Sequence, residues 1–227
     1  MADLEKNILV VIPVNEDHKK FLEEKAASGD KNCCIRYVNG EEVTKEDVEQ
    51  ADVIVGNVDP SLISGAKNLE LLQLNSAGAD LYIKAGVMPE GAVLANATGA
   101  YGLAVSEHML GLTFDLIRRL NQYHANQAEH VWKAMGNIIS VEGSTILVLG
   151  LGDIGGDYAR KVHALGAHVI GVRRTKRNKP DYLDEQHTMD DLDMLLGRAD
   201  IVAMVLPGGS ATNHIMDERR LRLMKKG

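Results

Sequence analysis

The chain is poor in cysteine: it has two, Cys33 and Cys34, adjacent in sequence. Neighbouring cysteines rarely form a sound disulfide, and no third is present to pair with either. They read as reduced residues in a buried strand of a cytoplasmic protein, not as part of a disulfide framework. Positive charge is also short. A formal net charge of −7 argues against nucleic acid or an anionic membrane as the main partner. No apolar run is long enough to span a membrane. The first apolar segment, Ile8 to Pro13, is short and follows charged residues, so it reads as a strand rather than a signal peptide. No Cys/His spacing matches a zinc site. His124 and His130 are six residues apart and do not share a helix face, so no metal is expected. The triplet Asn96-Ala97-Thr98 fits a glycosylation pattern by chance, without a secretory context.

What is present is ample apolar content, 45% of 227 residues, enough for one or two cored domains. The most informative stretch runs from Thr145 to Thr175. An apolar run, Thr145 to Leu149, leads into Gly150-Leu151-Gly152-Asp153-Ile154-Gly155, a G-x-G-x-x-G pattern. Ile154, Tyr158, Val162 and Leu165 then recur at helical spacing, Gly166 stops the helix, and His168 to Val172 forms a second apolar run. In such a strand–turn–helix–strand unit the first glycine makes the tight turn and the second lets a pyrophosphate touch the backbone. The third lets the helix pack on the sheet. The helix N-terminus presents free N–H groups to the phosphates. Gly150, Gly152, Asp153, Ile154 and Gly155 are therefore candidate cofactor-binding residues.

Read in order, Ile8–Ile12, Cys33–Val38, Asp52–Gly56, Leu69–Leu74 and Ala92–Ala97 are strands. Helices are predicted from Asn15 to Ser28, after the capping box at Thr44 to Asp47, and after Asp59-Pro60. This alternation implies a parallel α/β sheet and a first domain of residues 1–98. From Gly99 one long helical stretch runs to about Leu120 and continues, more polar, to Trp132. It is apolar on more than one side. In the second domain, 99–227, Thr188 is expected to cap a helix through Asp191, Asp200–Leu206 is a third strand, and Met216–Lys226 is helical. Three strands make only half of a doubly wound sheet. The first strand then lies at an open edge and the ligand crevice has one wall. The domain reads as an incomplete Rossmann fold, truncated after its third strand.

Nucleotide-binding units that take NAD carry an acidic residue at the end of the second strand to hold the ribose 2′-OH. Here that strand ends Val172-Arg173-Arg174-Thr175, two guanidiniums and a hydroxyl with no carboxylate. A guanidinium pairs with a phosphate and stacks on adenine, so NADP(H) is expected over NAD(H).

These motifs, with Leu74-Asn75-Ser76-Ala77-Gly78-Ala79-Asp80, Ala104-Val105-Ser106-Glu107-His108 and Leu206-Pro207 followed by Thr212, resemble the D-isomer-specific 2-hydroxyacid dehydrogenases over the whole chain. The likeness is greatest to glyoxylate/hydroxypyruvate reductases and phosphoglycerate dehydrogenases. The resemblance implies a flavodoxin-like lid at 1–98, with Ser76, Ala77 and Gly78 offering amides to a substrate carboxylate as an anion nest. It implies a nicotinamide site lined by Leu206, Pro207 and Thr212, and a homodimer through the 100–132 helix. It also implies hydride transfer at C2 of a small 2-hydroxy or 2-oxo acid. The family's catalytic arginine, glutamate and histidine match no residue here. The chain stops at Gly227, where the next strand should begin, and His108, His124 and His214 have no spacing that fits the missing role. The parent enzyme is thus expected to be an oxidoreductase and this chain alone inactive. The alternative is a non-catalytic nucleotide sensor or corepressor-like protein.

Overall fold

The computed structural model describes residues 5–29, 32–175 and 177–226. Lys176 and Gly227 lie outside them. The chain divides into two compact units, Met1–Thr98 and Gly99–Gly227.

The first unit contains β1 (Lys6–Val10), α1 (Glu16–Ala27), β2 (Cys33–Tyr37), α2 (Lys45–Gln50), β3 (Val53–Val55), α3 (Pro60–Ile63), β4 (Leu71–Gln73) and β5 (Val93–Ala95). Local chemistry starts each helix. The Asn15 side chain accepts from the His18 amide at 2.8 Å, and the Thr44 hydroxyl and Asp47 carboxylate cap each other's amides. Asp59 accepts from the Ser61 amide, with Pro60 in the first turn. All five strands are parallel in the order β2-β1-β3-β4-β5, the flavodoxin-like arrangement. Leu9, Ile54 and Leu72 from three adjacent strands join Val48 and Ile63 from the helices in one buried core. β1 begins two residues before the expected Ile8. The cysteines are not in a buried strand: β2 is an edge strand, Cys33 is half-buried and Cys34 is exposed.

The second unit contains α4 (Gly102–Ile117), α5 (Leu120–Ala128), β6 (Thr145–Leu149), α6 (Asp153–Ala164), β7 (His168–Val172), β8 (Glu185–His187), a 3₁₀ turn (Met189–Asp191), α7 (Leu192–Leu196), β9 (Ile201–Met204) and α8 (Glu218–Leu221). Alternation along β6 sorts its side chains to two faces. Ile146 and Val148 meet Tyr158, Ala159 and Val162 of α6, with Met109, Leu110 and Phe114 of α4 packed outside them. Leu147 and Leu149 meet Leu192, Leu195 and Leu196 of α7. Between α4 and α6 the Thr113 and Tyr158 hydroxyls lie 2.7 Å apart, and Lys161 donates to both Ser106 and Asp157.

Several expectations are corrected. The sheet has four parallel strands, ordered β8-β7-β6-β9, not three. β6 is therefore interior, and the strand order reverses between β6 and β9, so the crevice has two walls. The expected long helix is broken. Arg119 adopts φ 56°, its guanidinium donates to the Asn137 carbonyl, and α5 ends at Ala128, before Trp132. One face of α4 packs on the core, while Leu103, Leu112 and Leu116 stay exposed. Thr188 makes no capping bond, since a 3₁₀ turn precedes α7. The segment 216–226 is helical only at Glu218–Leu221, behind an Asp217 cap. Among the described residues no helix is long and apolar enough to cross a membrane. No group of three or more His, Cys, Asp or Glu side chains among them is placed to hold a metal ion.

β8 is polar and short, and its partner residues hold it in place. Glu185 receives both Arg198 guanidinium nitrogens, the His168 ring at 2.9 Å and the His187 ring at 3.0 Å. Arg198 above all, then the two histidines, hold the Glu185 carboxyl well below the usual carboxylate range. A carboxyl lowered in the folded state stabilises the fold above its ordinary value of 4.5, and that stabilisation is lost as pH falls below it. Glu185→Gln should lower the melting temperature at pH 7 by a few degrees. The gap to the parent chain should close as the pH is taken well below 4.5, followed by circular dichroism. A gap that stays constant across that range would count against this role for Glu185.

Candidate dinucleotide site

β6 ends at Leu149 and the chain turns at Gly150, whose N–H donates to the Val172 carbonyl at 2.9 Å. Gly150 has φ +95°, a region that L side chains rarely adopt. Its Cα faces the backbone of Val205 just beyond β9, and a Cβ there would stand 2.9 Å from the Val205 carbonyl carbon. At Gly155 a Cβ would overlap the Gly150 carbonyl oxygen and stand 3.0 Å from its carbon. The helix approaches the turn as closely as backbone allows. Gly152 differs: nothing lies within 4 Å of a Cβ built on it. It caps α6 without a side-chain hydrogen bond, so no capping side chain occupies the first amides of the helix. This open backbone cradle at a helix N-terminus fits a pyrophosphate.

The other predicted residues fall around this turn unequally. Ile154 is half-buried in the first turn of α6. Asp153 is also there, but its carboxylate lies against Gly102 at the start of α4, where a Cβ would stand 2.8 Å from its Cγ. At the end of β7 the Arg173 guanidinium donates to the Leu151 carbonyl at 2.9 Å, and its backbone N–H donates to the His187 carbonyl of β8. Arg174 and Thr175 are exposed. Beyond β9, Leu206, Pro207 and Thr212 line a cavity of about 500 Å³. Thr212 folds the loop by donating to the Pro207 carbonyl at 2.6 Å. Met204, Asn213 and His214 line the same cavity. The motif does not name them, though Asn213 and His214 follow Thr212 directly. No sequence signal marks the Leu151 carbonyl as the anchor of Arg173.

In the first unit, Ser76, Ala77 and Gly78 form the loop leaving β4. Their three amides donate to no acceptor among the described residues. Two asparagines that the motif does not include brace the loop. Asn57 donates to the Ser76 hydroxyl at 3.0 Å, and Asn96 donates to the Ala77 carbonyl at 2.8 Å. Ser76 Oγ donates to the Gly78 carbonyl at 2.9 Å. Ala77 and Gly78 are exposed and Ser76 is half-buried.

Residues 110–227 match the family model for the NAD binding domain of D-isomer specific 2-hydroxyacid dehydrogenases. The chain is 28% identical over 228 residues to a D-3-phosphoglycerate dehydrogenase of Methanocaldococcus jannaschii; this covers 96% of the chain and 42% of that protein. The chain thus spans less than half the length of this relative. Among solved structures it superposes on a D-isomer specific 2-hydroxyacid dehydrogenase family protein from Aeromonas salmonicida with a TM-score of 0.82 and 26% identity, covering 98% of this chain and 70% of that one. It shares the fold of a D-lactate dehydrogenase from Aquifex aeolicus complexed with NAD and lactic acid, with a TM-score of 0.75 and 23% identity, covering 98% of this chain and 67% of that one.

Two glycine substitutions should separate binding from folding. Gly152→Ala enters open space and should cost less than about 1 kcal/mol of stability, yet weaken dinucleotide binding about tenfold or more by blocking the phosphate. Gly155→Ala should instead lower stability itself by at least about 1–3 kcal/mol, since backbone must move. Urea unfolding beside fluorescence titration distinguishes them. A Gly152→Ala chain that binds dinucleotide normally would remove the cradle assignment.

Proposed function

The chain belongs to the D-isomer specific 2-hydroxyacid dehydrogenase family, and from that membership we propose that it is the nucleotide-binding and lid portion of an NADP(H)-dependent oxidoreductase. The substrate is a small 2-hydroxy or 2-oxo acid. The bound nicotinamide supplies or accepts a hydride at the C2 carbon. The observation that carries this reading is the Gly150–Gly155 turn at the β6/β9 reversal, with its open cradle at Gly152. The amides opening α6 hold the pyrophosphate, and the Leu206–Thr212 loop shields the nicotinamide side from water. In the first unit the amides of Ser76, Ala77 and Gly78 hold the acid's carboxylate.

The preference for NADP(H) rests on Arg173, Arg174 and Thr175. Arg173 is tied to Leu151, which fixes its guanidinium beside the glycine turn. Arg174 and Thr175 are exposed and take the 2′-phosphate as a charge-assisted pair and a hydroxyl donor. The acid/base step of the family falls to an arginine, a glutamate and a histidine that correspond to no residue of this chain. The 227-residue chain is therefore expected to bind NADPH without turning over 2-oxo acids.

A homodimer belongs to the same reading. Leu103, Leu112, Leu116 and Leu120 are exposed on α4 and α5, and Trp132 is 102% exposed, an apolar surface suited to a second copy. Leu116→Glu combined with Trp132→Ala should convert a dimer to a monomer in light scattering. A parent chain that is already monomeric at micromolar concentration would contradict this surface as a self-contact.

Fluorescence titration tests the cofactor assignment. NADPH should bind about tenfold or more tightly than NADH, a difference of roughly 1.4 kcal/mol per tenfold. Arg174→Asp should reverse or abolish the difference. Equal affinities in the parent chain would overturn the NADP(H) assignment while leaving the cradle intact.

A further inference from the structure

The carboxyl ends of a parallel sheet are where its ligands sit. In the first unit the segments leaving those ends are residues 11–15, 38–44, 56–59, 74–83 and 96–98. Together they contain no lysine and no arginine, and they carry Glu41, Glu42, Asp59 and Asp80. Three cations close in sequence to these segments already have carboxylate partners. Lys19 pairs with Glu16 at 2.7 Å, Lys45 with Glu49 at 3.5 Å, and Arg36 with Asp47. Lys84 follows the 74–83 segment, beyond Tyr82, which is buried with its hydroxyl on the Val58 carbonyl.

Between the ends of β1 and β2 the same edge holds a cavity of about 550 Å³. It is lined by Val10, Val11, Ile12, Val14, Tyr37 and Val38, with exposed Glu41 and Asn39 beside them. The sheet order sets β4, which carries the Ser76–Gly78 loop, two strand spacings from β1, about 10 Å. A molecule that leaves its carboxylate on that loop and extends along the edge meets neutral or acidic groups and then an apolar cavity.

We propose that this edge selects an unphosphorylated 2-oxo or 2-hydroxy acid with an uncharged apolar side chain of aryl size, and discriminates against acids that carry a second anionic group. The inference rests on the reading of Ser76, Ala77 and Gly78 as the carboxylate receptor. Those three amides suit a single carboxylate. A phosphate carries a charge of about −1.5 to −2 at neutral pH and is strengthened by arginine or lysine partners, and the edge presents carboxylates in their place. The aryl group contributes by burying apolar surface against Ile12, Val14 and Tyr37.

Amide NMR of the whole 227-residue chain tests this, with glyoxylate, phenylpyruvate and 3-phosphohydroxypyruvate as probes and NADPH as a separate titrant. Glyoxylate and phenylpyruvate should both move the amides of residues 76–78. Only phenylpyruvate should also move residues 10–14 and 37–41. The phosphorylated acid should bind roughly tenfold or more weakly than phenylpyruvate, and Glu41→Lys should narrow that gap. If the phosphorylated acid moves residues 76–78 with equal or higher affinity, the selectivity is overturned and the carboxylate assignment stands. If no acid moves residues 76–78 while NADPH still shifts residues 150–155, the carboxylate assignment falls and takes the selectivity with it.

Discussion

Helix α6 reaches the Gly150 turn only because Gly155 has no side chain. A Cβ there would overlap the Gly150 carbonyl oxygen, and no rotamer relieves a backbone collision. This contact sets the height of the helix above β6. It lets Tyr158, Ala159 and Val162 bury fully against the sheet. Gly150 makes the matching contact on the other side, turning with positive φ against the backbone after β9. The two glycines hold three backbones together: the β6 end, the α6 start and the β9 end. Gly152, between them, faces open space. Packing thus uses two of the three motif glycines and leaves the middle one facing open space.

The same crevice links to the specificity position through hydrogen bonds rather than packing. Arg173 reaches back to the Leu151 carbonyl inside the glycine turn, and its own amide is held by His187 at the end of β8. β8 in turn depends on Glu185 and the hydrogen bonds it makes with His168, His187 and Arg198. A polar edge strand therefore supports the residue that stands where an acidic ribose partner would otherwise be. This gives Arg173 a fixed place and leaves Arg174 and Thr175 exposed.

The elements legible in the sequence are those with strong local codes. A capping box marked α2, whereas the box at Asn15 and His18 that starts α1 shows only in the structure. Apolar runs marked β6 and β7, and the glycine spacing marked α6. Glu185–His187 carried no such code. It is three polar residues long, held by the His168 ring of β7 and the Arg198 guanidinium beyond α7, and a periodicity search has nothing to find there. Missing it hid the true order of the sheet. With β8 in place, Asp200–Leu206 is the strand across the reversal, not the third in a row, and the crevice gains its second wall. The break at Arg119 was equally silent, because Arg118 and Arg119 are good helix formers and the left-handed turn is set by the guanidinium bond to Asn137. The candidate site was legible in its motif residues. The partners that hold them, Leu151, Asn57 and Asn96, act through carbonyls and amides contributed from distant parts of the chain.

Hydrogen–deuterium exchange of the chain with and without NADPH tests the central claim most directly, because it reads the backbone amides that the glycine turn exposes. Protection should appear in peptides spanning residues 150–156 and 173–175, with a smaller effect at residues 205–213 and none along α5. Nucleotide-dependent protection that leaves residues 150–156 unchanged would contradict the assignment of the Gly150–Gly155 cradle as the dinucleotide site.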